Sequence, residues 1–290
     1  FPYEALKAIN PKVIFCSISG FGNKGPDSQK PGFDLIAQGM SGFMSFTGEV
    51  GGGPIKVGVA IADINSGMFA AYGILSALYH REKTGEGQKV ETSLFETMVA
   101  QLTFQAGRFF ATGQAPKPEG NRHPLIAPYE SFPCQDGYIN IAAANDGLFA
   151  KTCEAIGLLE CPKDPRFQNN GLRVKNREAL IAIIEAKTKG YKLKDLQKIL
   201  DDAGIPNGPI WSVAQALTSE QAYALEMVKE VDHPTCGKIK ITGIPVKLSQ
   251  TPGTVELSPP TLGQHTEEIL TKILGYSKSK VERLKKEKAT

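Results

Sequence analysis

Cysteine, histidine and tryptophan are scarce in this chain: five, four and one among 290 residues. Cys16, Cys134, Cys153, Cys161 and Cys236 are scattered, and no two form a C-x-x-C pair. That argues against a zinc site and against a disulfide framework. It suits a reducing compartment, cytosol or mitochondrial matrix alike. Charge of one sign is lacking too. Lys and Arg number 33 against 30 Asp and Glu, a net of +3, which is too small to argue for a nucleic-acid partner. Much of the basic surplus lies between Lys278 and Lys288 and reads as a solvated helix face. No apolar run reaches membrane-spanning length and no signal peptide is read at the start, so no membrane partner is expected. A starting methionine is missing as well, and the chain is expected to be truncated, entering on the end of a helix. With 41% hydrophobic and 22% charged residues the composition is that of a globular protein. A chain of this length fills one large core or two modest ones.

Glycine and proline punctuate what is present. Val13 to Ser19 makes a short apolar strand leading into Gly20-Phe21-Gly22, and Asp34 to Met44 has helical spacing. Thr47 to Pro54 is a glycine-rich loop. The apolar residues around Gly58 read as a strand or buried turn, after which Met68, Ala71, Tyr72, Leu75, Leu78 and Tyr79 recur at helical spacing. That helix stops in Lys83-Thr84-Gly85-Glu86-Gly87. Gln88 to Thr92 reads as a strand, and Ser93 with Glu96 has capping-box spacing at the start of a long helix towards Phe110. This alternation predicts a parallel α/β sheet. From Gly113 the prolines 116, 118, 124 and 128 form an irregular linker. Beyond it come a strand (137–144) and helices (147–155, 175–187 and 192–203). A hairpin is expected about His233-Pro234-Thr235-Cys236-Gly237, followed by helices over 266–274 and 278–286. The expected domains are a large α/β domain over 1–120, a smaller α+β domain over 121–225, and a C-terminal segment over 226–290. Trp211 is expected to pack the small domain.

The residue with the most chemical meaning is Asp63, at the junction between the run Val57-Gly58-Val59-Ala60-Ile61-Ala62 and the helix that follows. A helix N-terminus favours an ionised carboxylate. Such an acid either caps the helix or, partly desolvated, attacks an activated carbonyl. Four runs bear on the choice. They are Asn10 to Pro26 with Lys30-Pro31-Gly32-Phe33-Asp34, the Asp63 segment, His80 to Val90, and Leu262-Gly263-Gln264-His265-Thr266. In this order they resemble the class III CoA-transferase family, also called the carnitine CoA-transferase or formyl-CoA transferase family. The resemblance extends from Ala8 to Tyr276.

That resemblance implies an α/β protein with a Rossmann-like large domain, a smaller α+β domain, and a C-terminal segment that returns to the large domain. It implies a homodimer of interlinked rings; the expected truncation adds a complementary N-terminal chain as a further expected partner. It implies an acyl-CoA:carboxylate CoA-transferase in which Asp63 attacks the thioester and carries CoA as an aspartyl thioester. A CoA thioester is then a substrate; no permanently bound cofactor and no metal are expected. Lys30, Phe33, Asp34, Gly20 and Gly22 are the expected CoA contacts. Arg122, His123 and Tyr129 lie in the loop expected to meet the acceptor carboxylate. That loop has far fewer glycines than in the formyl-CoA branch, which weakens a formyl/oxalyl pairing. The pattern Pro128 to Phe132 before Asp136-Gly137-Tyr138 looks like members that handle succinate, glutarate or related C4–C5 acids.

Two rivals stay open. Relatives that racemise 2-methylacyl-CoA carry a histidine where Phe33 stands, and phenylalanine cannot move a proton. A CoA-binding or assembly subunit without turnover is the other. His265 is expected to organise a domain junction.

Overall fold

A computed structural model of the chain describes residues 2–290. Its contacts divide into two compact units, one ending at Pro209 and the other beginning at Ile210.

The first unit opens with helix α1 (Tyr3–Ile9) and strand β1 (Phe15–Ser19), then helix α2 (Asp34–Met40), a 3-10 turn (Phe43–Ser45) and the long helix α3 (Ile61–Thr84). Strand β2 (Lys89–Ser93) pairs with β1 in parallel, from Phe15 against Lys89 to Ser19 against Ser93. Helices α4 (Leu94–Ala100) and α5 (Thr103–Thr112) follow. The parallel pair with helices between its strands is the expected α/β arrangement. Ser93 caps α4 by accepting the Glu96 amide at 3.1 Å, and its hydroxyl donates to the Glu96 carboxylate at 2.7 Å. The expected long helix after Ser93 is interrupted. It stops at Ala100, and Thr103 restarts it with a φ of +44°.

Two further differences concern α3. The segment from Ile55 to Ala60 is irregular and mostly exposed rather than a strand, because no neighbouring strand is there to satisfy its backbone. The large apolar residues that recur along α3 lie on its exposed side. Ala62, Ser66, Ala70 and Ala77 are buried, whereas Met68, Tyr72, Leu75 and Tyr79 are exposed. The small side chains bring the helix down on the sheet, so closely that a Cβ on Gly73 would lie 2.5 Å from Val90 Cγ1. Seen whole, α3 is long and apolar enough to cross a membrane by length and composition alone, which the sequence reading did not anticipate.

The rest of this unit is built on strands β3 (Tyr129–Cys134), β4 (Gly137–Ala142) and β5 (Asn207–Pro209), antiparallel in that order. Helices α6 (Asp146–Ala155), α7 (Asn170–Lys175), α8 (Arg177–Thr188) and α9 (Leu193–Asp202) cover them. Phe132, Ile139, Ile141, Phe149, Phe167, Leu180, Ile184, Leu196 and Leu200 form a contiguous buried core there. A smaller cluster of Ala37, Ala62, Leu94 and Met98 joins α2, α3 and α4.

The second unit carries short helices α10 (Val213–Leu217) and α11 (Glu220–Ala224), then a hairpin of β6 (Val228–His233) and β7 (Gly237–Thr242) about the predicted turn. The single turn α12 (Thr266–Glu268) runs into a π-helical stretch (Ile269–Ile273), and α13 (Lys278–Lys286) follows. Trp211 belongs to this unit and is half exposed. All five cysteines are free thiols.

Candidate active site around the start of α3

Asp63 is the third residue of α3 rather than the residue before it. The N-cap position belongs to Ala60, whose side chain offers no acceptor. Asp63 is exposed, and among the described residues no side chain forms a hydrogen bond or ion pair with its carboxylate. The positive end of the helix lies beside it. This carboxylate is therefore not used to hold the fold.

The acceptor missing at Ala60 comes from another helix. Asp34 Oδ1, on the first turn of α2, accepts the Ala62 amide at 2.8 Å. Asp34 Oδ2 accepts Gln38 Nε2 at 2.7 Å, one turn further along α2. Gln38 is fully buried, and its Oε1 accepts the Val57 amide at 2.9 Å. Asp34 thus caps α3 across 28 positions, not its own helix. The other face of the turn is held by α4, where the buried Ser66 and Thr97 hydroxyls meet at 3.0 Å.

The other expected CoA contacts lie as follows. Gly20 and Gly32 pack backbone to backbone; a Cβ on Gly20 would lie 2.8 Å from Gly32 Cα. Glycine at position 20 is required by this crossing, which draws the end of β1 against the segment leading into α2. Gly22 has a φ of +85° and donates its amide to Ser19 Oγ at 2.9 Å. Phe33 is 77% exposed. Lys30 is paired with Asp27 at 2.6 Å and is largely exposed. Gly22 also lines a cleft of about 240 Å³ with Asn23, Lys24 and Glu96.

Arg122, His123 and Tyr129 come together at a separate cleft of about 290 Å³, which Phe104, Gln105 and Glu119 also line. His123 stands between the rings of Phe104 and Tyr129, at centroid distances of 5.5 and 5.3 Å. Its Nδ1 accepts the Leu125 amide at 3.2 Å, which leaves the proton of the neutral ring on Nε2. Burial, followed by the Arg177 and Arg108 guanidiniums, holds its pKa below the ordinary imidazole range. The ring is then a neutral donor at pH 7. Phe46 and Gln105 are shared with an adjoining apolar cleft of about 230 Å³ lined by Leu102, Phe109 and Phe110.

The loop carrying these residues is anchored by side chains the sequence did not single out. Arg177 Nη2 donates to the carbonyls of His123 (2.6 Å) and Ile126 (2.8 Å), and Nη1 donates to the Glu130 carboxylate at 3.0 Å. Arg173, fully buried, donates to the Ala127 carbonyl at 2.7 Å. Asn170 bonds both Leu125 and Ala127. Burial raises the Glu130 pKa even though Arg177 and Arg122 oppose it. Asn170 and Arg173 lie on α7 and Arg177 opens α8. Their target, a loop some 50 residues earlier, was not visible.

Comparison with known proteins places these features in a family context. A family model described as CoA-transferase family III matches residues 1–266. The mouse succinyl-CoA:glutarate CoA-transferase is 37% identical over 282 residues, which cover 97% of this chain and 65% of that protein. The acetyl-CoA:oxalate CoA-transferase of Acetobacter aceti is 40% identical over 250 residues, covering 86% and 63%. The crystal structure of a CAIB/BAIF family protein from Brucella suis matches with a TM-score of 0.80 and 41% identity, over 94% of this chain and 71% of that one. The chain thus spans slightly less than two thirds of the mouse protein's length.

Proposed function

The chain belongs to CoA-transferase family III, and from that premise we propose that it moves CoA between a donor acyl-CoA and a carboxylic acid, with Asp63 as covalent nucleophile. The observation that carries this reading is the unpaired, exposed carboxylate of Asp63 on a helix turn capped by a different residue. A carboxylate with no structural duty, at the positive end of a helix, is free to attack.

An Asp63 oxygen attacks the donor thioester carbonyl, the carbon–sulfur bond breaks, and CoA leaves as thiolate, giving a mixed anhydride. The thiolate attacks the aspartyl carbon of that anhydride and the donor acid departs as carboxylate. An acceptor carboxylate then attacks the aspartyl-CoA thioester, and the same steps in reverse return Asp63 free. Each anhydride is costly, so binding energy from the remote part of CoA must be used at the reacting centre. The proton on His123 Nε2, in a cleft with Arg122 and Tyr129, suits an acceptor carboxylate. Lys30, Phe33, Asp34, Gly20 and Gly22 remain our proposed surroundings for CoA, with Asp34 acting through the helix it caps.

Succinyl-CoA as donor and a C4–C5 dicarboxylate as acceptor are the proposed substrates, in line with what the mouse relative's name says of that protein. We further propose a homodimer in a reducing compartment. Phe33 speaks against a racemase, since it offers no proton carrier opposite Asp63.

The test is CoA transfer from succinyl-CoA to glutarate by the chain and by Asp63→Asn, alongside deuterium uptake at C2 of a 2-methylacyl-CoA. Transfer lost in the variant, without deuterium uptake by either, is the expected result. Deuterium uptake without transfer would move the reading to the isomerase, and thioester binding without either reaction to the CoA-binding subunit.

A further inference from the structure

We infer that Gln38 is a positioning residue for Asp63, an inference that rests on the transferase reading. Its carboxamide is wholly buried and is bonded at both its nitrogen and its oxygen. Nε2 reaches Asp34 Oδ2 at 2.7 Å while Oε1 takes the Val57 amide at 2.9 Å. Those two bonds tie down both ends of the segment leading into Asp63. Val57 lies half-buried within the irregular run that enters α3, and Asp34 Oδ1 holds Ala62, the residue next to Asp63. Nothing else in that run is regular structure, and Ala60 provides no cap. The angle at which α3 begins, and with it the place of the Asp63 carboxylate, is set by one amide acting as donor towards α2 and acceptor towards the incoming chain. An aliphatic side chain at 38 fills the space but holds neither end. Glutamate keeps an acceptor for Val57 but faces Asp34 with a second carboxylate in place of a donor.

Reaction at Asp63 demands placement within a fraction of an ångström, and misplacement by about 1 Å can cost on the order of 100-fold in rate. The experiment compares the chain with Gln38→Met and Gln38→Glu. It measures the rate of CoA labelling of Asp63 at saturating succinyl-CoA, the Kd for that thioester, and amide exchange at Val57 and Ala62. Slower labelling by at least about tenfold, an unchanged Kd and faster exchange at both amides are expected in each folded variant. Labelling at the original rate in a folded variant overturns the proposal, whatever its stability. Should Gln38→Met fail to fold, Gln38→Glu decides alone. Should the unaltered chain take no label, the transferase reading fails separately. The clamp is then judged by the 13C resonance of the Asp63 carboxyl, which is displaced in the variants if Gln38 positions it and unmoved if it does not.

Discussion

An aspartate in the first turn of a helix serves the fold when its oxygen accepts a backbone amide, and is free for chemistry when it does not. Asp63 is of the second kind. Its replacement by asparagine removes only a favourable charge–dipole contact, worth about 0.3–1 kcal/mol. The urea midpoint of Asp63→Asn should therefore stay close to that of the unaltered chain while CoA transfer is lost. His123 provides a second prediction at this scale. Its folded pKa lies below the ordinary value of about 6.5. As pH falls the unfolded chain binds that proton first, so the contribution is intact above the unfolded pKa and is lost on acidification. Urea titrations from pH 7.5 to 5 should show stability falling, with a shallower slope in His123→Asn. An identical slope would remove His123 as the source.

Between helices, larger effects are expected. Asp34→Ala removes the cap of α3, about 1–2 kcal/mol, and leaves the buried Gln38 amide without its acceptor, a further 1–3 kcal/mol or so. Chemical denaturation should register the sum, with α3 amides near Ala62 exchanging faster. Arg177→Ala leaves Glu130 buried without its closest cation, a change expected to cost about 3–5 kcal/mol. The same variant should free residues 123–126, seen as faster amide exchange there. What the sequence made legible follows the same division. The Ser93 cap and the hairpin about His233–Gly237 were readable because a few adjacent residues decide them. The break between Ala100 and Thr103 was not, since neither glycine nor proline marks it. Asp63 could be singled out from its position and the resemblance. The Asp34–Gln38 link could not, because its meaning depends on Ala62 and Val57 arriving beside α2.

At the scale of the molecule, the exposed side of α3 matters most. Ile64, Met68, Tyr72, Leu75 and Tyr79 form a stripe about four turns long, and each is roughly half exposed or more. The small residues on the opposite side are the buried ones, because they allow α3 to lie close on β2. A stripe of this kind is what an associating surface presents. Under the proposed homodimer, sedimentation should give about twice the 31.3 kDa chain mass. The triple variant Tyr72→Ser, Leu75→Ser, Tyr79→Ser should shift it towards one chain if this stripe takes part. A single-chain mass for the unaltered protein would contradict the dimer.

On the proposed mechanism, Asp63 carries CoA covalently. Incubation with succinyl-CoA, proteolysis and mass spectrometry test it most directly, with hydroxylamine added to half of the sample. The expected result is a CoA adduct confined to the Asp63 peptide, converted to a hydroxamate by hydroxylamine and absent from Asp63→Asn. No adduct in folded protein that binds the donor, or the same adduct in Asp63→Asn, would contradict it.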